Sequence, residues 1–278
     1  MRLAAARNLL KVWALVAGLC AALGLLGWAA GGYRVLSSVV FCALLAAAAA
    51  YWYVDRVVMG MIGARELPLA EAPGFHSTVE RLAALARVVK PKLYVMPDGH
   101  PRALAAGRGP RGSAIAVSRG LLAAAPPAEL EAVIAHELAH IRARDVVTQE
   151  VVVVLAAALI DLTRVGGFLQ RALLFVLGPL AAAPVHLMLS PRREFAADRF
   201  AARLCETPHG LADALLRLEQ TSELVEFRAS PATEPLYTIN PFEPRGIAAM
   251  FLTHPPTAER VRRLRALDPD WEKNLRAA

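Results

Sequence analysis

Two apolar runs open the chain. No charged residue falls between Lys11 and Arg34 or from Val35 to Val54, and at 1.5 Å per helical residue each run covers a hydrocarbon layer of about 30 Å. The pattern predicts two membrane-crossing helices. Their linker, Gly31-Gly32-Tyr33-Arg34, is short enough to enforce an antiparallel hairpin, and Trp13, Trp28, Tyr33, Tyr51, Trp52 and Tyr53 fall near the ends as interface anchors. A cleaved leader is the competing reading of a basic start before an apolar run, but this run is too long for one and a second follows at once. Arg2, Arg7 and Lys11 flank one end of the hairpin and Arg56 and Arg65 the other, against Arg34 alone in the connecting loop. By the positive-inside rule both outer ends face the cytoplasm.

From Pro68 charges return. Phe75, Val79, Leu82, Leu85, Ala86 and Val89 recur at helical spacing and stop at Lys90-Pro91. Three short strands are expected next, Leu93 to Met96, Ala103 to Ala106 and Ala114 to Val117, separated by Pro97-Asp98-Gly99 and by the glycine-rich stretch Gly107 to Gly112. Pro126-Pro127 opens a helix with Glu129 and Glu131 near its positive end. Its end is unmarked, because helical spacing runs on through Asp145 and Glu150 to Ile160, Asp161 and Arg164. Val151 to Ile160 spans about half a bilayer, and Ala172 to Leu189 is longer but carries Pro179, Pro184 and His186. A second membrane-inserted hairpin turning at Val165-Gly166-Gly167 is the favoured reading, with a buried or interfacial helical pair as the alternative.

Composition agrees with a membrane class: of 278 residues 56% are hydrophobic and only 20% charged. The net charge of +7 comes from arginines spread along the chain without a nucleic-acid fold signature, so the expected polyanion is the lipid surface of a bilayer and not nucleic acid. Cys20 and Cys42 sit in apolar runs and Cys205 in an alanine-rich helical stretch. They read as small packing residues without a disulfide framework.

The chemistry lies on the helix opened by Pro127. His136 and His140 are four apart and share a face, with Glu137 one step round toward an open coordination position, the H-E-x-x-H arrangement. Catalytic zinc usually keeps three protein ligands and a water, so one Zn2+ per chain and a third ligand are expected. The plain alternative is an amphipathic helix with two exposed histidines. Glu150 is unsuitable as third ligand, since ten residues along one helix from His140 is about 15 Å. Glu194 is better placed, on a helix with Ser190 as cap and Pro191 as first residue. One turn on, Asp198 can accept a hydrogen bond from the outer nitrogen of a zinc histidine, and Ala196, Ala197, Ala201 and Ala202 let this helix come close. An acidic pair on a solvated face is the bland reading of Glu194 and Asp198.

His136 to Asp145, Arg193 to Asp198 and Thr253 to Arg260 together resemble the HtpX family of membrane zinc endopeptidases, relatives of the CAAX prenyl proteases, over nearly the whole chain. The resemblance implies an α+β protein: a multi-pass α-helical membrane protein with a mainly helical zincin-type metalloprotease domain carrying a small β-sheet. Residues 1–60 would form the N-terminal hairpin, 61–145 and 190–278 the two parts of the protease domain, and 146–189 the inserted hydrophobic pair. It also implies a cytoplasm-facing enzyme of the bacterial-type cell (inner) membrane, whose partners are unfolded or misassembled membrane proteins. In such a site Glu137 takes the proton of a zinc-activated water and passes it to the leaving amine.

His254 is a candidate donor to the oxyanion, although a histidine before Pro255-Pro256 also suits a structural turn. Where the family often has Asn-Ala-Phe-Ala-Thr-Gly, this chain has Arg102 followed by Ala103, Leu104, Ala105, Ala106 and Gly107. These five remain the candidate substrate-binding strand, because strand addition needs no particular side chain. Arg260, Arg262 and Arg263 read as surface or salt-bridging residues, Asp145 as a packing and headgroup residue, and His76, His100, His186 and His209 as ordinary histidines. Two other functions stay open: a narrow-specificity processing peptidase of the prenyl-protease kind, and a membrane scaffold keeping zinc only for structure. Oligomeric state is left open.

Overall fold

The computed structural model describes residues 2–161, 170, 175, 178–179, 182–186, 189–222 and 254–268. Helix α1 (Arg2–Met61) breaks at Gly31 (φ −163°, ψ 24°) and Gly32 (φ 67°, ψ −154°). The second of these conformations is open to glycine and closed to most other residues. Its two arms lie against each other, since a Cβ on Gly24 would sit 3.0 Å from Leu36 and 3.1 Å from Val40. Trp13, Leu25, Trp28, Phe41, Leu45 and Trp52 on these arms remain exposed. Among the described residues, no helix is long and apolar enough to cross a membrane.

After α1 come β1 (Arg65–Glu66), α2 (Pro73–Ala86), β2 (Lys92–Met96), β3 (Ala103–Gly107) and β4 (Ser113–Ser118). The sheet order is β1-β2-β4-β3, with β2 parallel to β4 and the other two pairs antiparallel. Alternation along β3 and β4 divides their side chains between two cores. Ala103, Ala105, Ile115 and Val117 pack with Val79 and Leu82 of α2 and with Val133 and Leu138, which belong to the motif helix. Leu104, Ala106, Ala114 and Ala116 pack with Val58 and Met59 at the end of α1 and with Val153. A strand buried on both faces has no polar positions to alternate, which is why Ala103 to Ala106 reads as an unbroken apolar run.

Strand β3 forms the sheet's edge. Ser118 N donates to Arg102 O at 2.9 Å and Arg108 N to Gly112 O at 2.6 Å, so the even-numbered residues bond to β4 and Ala103, Ala105 and Gly107 turn their backbone groups outward. The outward N–H of Gly107 donates to Glu150 Oε1 at 2.6 Å. All five β3 residues are buried.

Helix α3 (Arg119–Ala124) leads into α4 (Pro127–Ala143), which has proline in its first turn and ends at Arg144 in the left-handed conformation (φ 59°, ψ 27°). Helix α5 (Asp145–Asp161) starts at once. The single helix that sequence spacing extends past Asp145 is therefore two helices. Val152, Val153, Ala156 and Ile160 of α5 are buried, while half of the expected second segment, 172–189, lies outside the described residues.

Helix α6 (Pro191–Leu204) begins as expected, with Ser190 Oγ accepting from Arg192 N at 3.4 Å. Helices α7 (His209–Ser222) and α8 (Thr257–Arg265) complete the described fold. Ala132 and Ala135 of α4, Ala201 and Ala202 of α6, Leu211 and Leu215 of α7, and Val261 and Leu264 of α8 share one core. Small side chains set the helix spacing here: a Cβ on Gly210 would lie 2.7 Å from the Ala128 carbonyl.

Candidate active site

Helix α4 carries His136, Glu137 and His140 on buried positions, with 0%, 3% and 4% of each residue exposed. The sequence alternative of two exposed histidines is thereby excluded. His136 Nε2 and His140 Nε2 lie 3.1 Å apart. Glu194 Oε2, brought in by α6, is 3.5 Å from the first and 3.6 Å from the second. Ligands about 2.0 to 2.1 Å from a tetrahedral ion stand about 3.3 Å from one another, so the three atoms have the spacing of a metal site. The donors also suit an ion: Glu194 Oε2, facing the two imidazole nitrogens, is buried without a hydrogen-bond partner among the described residues, a costly state for a carboxylate oxygen unless a cation is supplied. Two imidazoles and a carboxylate, with their ligand atoms within 4.8 Å of one another, form a group able to hold a metal ion.

Each imidazole has a carboxylate behind it. His136 Nδ1 is 3.0 Å from Asp198 Oδ1, as the one-turn spacing from Glu194 led us to expect. His140 Nδ1 is 3.3 Å from Asp145 Oδ2. The His136 contact is a close approach of the ring to a carboxylate and not a hydrogen bond; when a metal binds, acids in these positions favour the tautomer that presents Nε2 to it. Asp145 is therefore not the packing and headgroup residue that the sequence suggests but a partner of His140. On a continuous helix its side chain would point well round from His140, but the reversal at Arg144 turns it back. No residue type announces that reversal, since arginine rather than glycine adopts the left-handed conformation.

Asp198 is itself clamped. Arg260 of α8 donates through Nε to Oδ2 at 2.9 Å and through Nη2 to Oδ1 at 2.7 Å, and it is among the largest fully buried side chains. The salt-bridging expectation holds for Arg260, Arg262 and Arg263, but of these only Arg262 and Arg263, paired with Glu259, are at the surface. His254, just before α8, has Nε2 3.7 Å from Glu194 Oε2 and is nearly buried. The four other histidines stand apart from the cluster: His76 contacts the Leu67 carbonyl, His100 pairs with Asp98, His209 pairs with Asp268, and His186 is exposed.

These charges set one another's protonation. Burial disfavours a charged His140, but Glu194 and Asp145 outweigh it and raise the metal-free imidazole to about 10. Burial likewise disfavours a charged Glu194, yet His140 and His254 hold it well below the carboxylate range. Asp198 resists burial through the Arg260 charge and its contacts with His136, and falls to about 2.

A two-histidine helix face closed by a glutamate from a second helix, both backed by acids, defines a metalloprotease centre. A model of peptidase family M48 matches residues 69–268. The chain is 37% identical to the protease HtpX homolog of Pelotomaculum thermopropionicum, over 94% of this chain and 99% of that one. It is 39% identical to the homolog of Acidiphilium cryptum, over 93% and 96%, and 37% identical to that of Pyrococcus abyssi, over 93% and 95%. The crystal structure of S. mikatae Ste24p shares the fold, with a TM-score of 0.53 at 17% identity over 93% of this chain and 65% of that chain. The chain belongs to peptidase family M48, among its HtpX-like proteases.

Proposed function

We propose that the protein is a membrane-bound zinc endopeptidase that cleaves damaged or misassembled membrane proteins at the cytoplasmic face. The observation that carries this reading is the buried convergence of His136, His140 and Glu194, with Glu194 Oε2 lacking a hydrogen-bond partner among the described residues. Bound at these residues, zinc supplies Lewis acidity toward a peptide carbonyl and toward water. Glu137, buried on the same helix, takes the proton of the attacking water and delivers it to the leaving amine. His254 donates a hydrogen bond to the oxygen on which negative charge develops. Asp145, Asp198 and Arg260 hold the imidazoles in register. An extended peptide pairs with the outward groups of β3 once the packing that buries this edge gives way. Membrane placement is supported by the two uncharged runs of α1, by the exposed tryptophans on its arms and by the arginines flanking it.

Metal analysis and proteolysis of the purified protein beside Glu137→Gln test this reading. Stoichiometric zinc in both, with cleavage of an unfolded membrane protein in the wild type alone, is expected. Cleavage by Glu137→Gln at the wild-type rate removes Glu137 from its role, and zinc without any cleavage by either protein favours the scaffold reading.

A further inference from the structure

Glu194 meets different cations with its two oxygens. Oε2 faces the imidazoles, 3.5, 3.6 and 3.7 Å from the Nε2 atoms of His136, His140 and His254. Oε1 lies 3.2 Å from Arg193 Nε. The backbone does not force that contact, because consecutive helical residues diverge by about 100° and do not face each other. The neighbouring Arg192 follows the ordinary course and is exposed. Arg193 instead folds back until its side chain is only 12% exposed, with Nη1 buried and lacking a hydrogen-bond partner among the described residues. A guanidinium gives up hydration in this way only against strong compensation, and the compensation at hand is the Oε1 charge.

A carboxylate can meet a metal through one oxygen or both. Turning Oε1 toward the histidines would take it from Arg193 and leave a buried cation without its counter-charge. We propose that Arg193 is a positioning residue that restricts Glu194 to one-oxygen ligation, so that the remaining positions at the ion stay available to water and to the scissile carbonyl. The proposal rests on the metal-site reading above and adds a rule about how one ligand is presented.

The test uses the full-length protein loaded with cobalt(II), whose visible d–d absorption weakens and shifts as coordination number rises. Wild type is expected to give the intense spectrum of a low-coordinate ion. Arg193→Gln should give a weaker, shifted spectrum at equal metal content, with kcat about 10- to 100-fold lower and KM little changed. Arg193→Lys, which keeps a cation beside Oε1, should restore the wild-type spectrum. An Arg193→Gln spectrum superimposable on wild type overturns the proposal, whatever the activity does. If Arg193→Gln fails to take up cobalt, Arg193→Lys decides: a spectrum unlike the wild type's overturns it and a matching one supports it. Failure of the wild type to bind cobalt would instead overturn the metal-site reading itself.

Discussion

Replacing Arg260 by methionine removes one side of a two-hydrogen-bond ion pair, at 2.9 and 2.7 Å, whose side chains are 1% and 4% exposed. Asp198 is then left as a buried carboxylate facing only His136, and breaking such a pair on one side costs about 3–5 kcal/mol. The carboxyl's own titration gives a comparable figure. Burial would raise it, but the Arg260 charge, then His136, bring it from its ordinary 3.8 to about 2, and at 1.36 kcal/mol per pH unit that difference is worth about 2 kcal/mol. Because the folded value lies below the unfolded one, this contribution is complete above about pH 4 and is lost as pH falls from there toward 2. Urea unfolding of chelator-treated protein, run from pH 7 downward, measures both effects without the metal's own stabilisation. Arg260→Met should be less stable by about 2–5 kcal/mol at pH 7, and the gap should narrow below pH 4. Restoring an apolar pair with Asp198→Leu in the same chain should recover much of the loss. An Arg260→Met protein within about 0.5 kcal/mol of wild type at pH 7, the range of an ordinary surface change, would refute the reasoning.

Two further outcomes follow from the acids behind the histidines. Asp145→Asn weakens the orientation of His140 and should lower metal affinity about 10- to 100-fold in competition with a chelator of known strength; unchanged affinity would return Asp145 to a packing role. The metal-free His140, raised to about 10 by Glu194 and Asp145 against its burial, carries a proton at neutral pH that must leave before Nε2 can bind an ion. Calorimetric titration with zinc in two buffers of different ionisation enthalpy should therefore show proton release, with affinity falling as pH drops; heats independent of the buffer would contradict this.

What the sequence made legible is what short-range periodicity encodes. His136, Glu137 and His140 lie on one helix, and Ser190-Pro191 marks the start of the helix that presents Glu194 and Asp198 one turn apart. Three of the four strands are bounded by turn residues, whereas the two-residue β1 exists only because Arg65 and Glu66 find Val95 and Tyr94 as partners. Arg260 was hidden for a related reason: α8 carries several arginines, and only packing distinguishes the one that reaches Asp198 across 62 positions from the two that meet Glu259 at the surface. Glu150 lies away from the metal cluster and instead accepts, through Oε1, the outward N–H of an edge glycine 43 positions earlier. Asp145 needed knowledge of a helix break that no glycine or proline signals.

The helix break at Arg144 and the start of α6 have a shared consequence. The chain leaves the histidine cluster at Asp145, against His140, and returns to it at Glu194, against both histidines. The ends of the intervening segment are thus held at one point, while its first helix, α5, keeps its own anchors in Glu150 on Gly107 and Val153 in the core with α1 and β3. A loop whose two ends are pinned at one point pays for added length only logarithmically, about 0.6 kcal/mol for each doubling. A change of length between α5 and Glu194 therefore carries only a small closure cost at the two ends of the cluster.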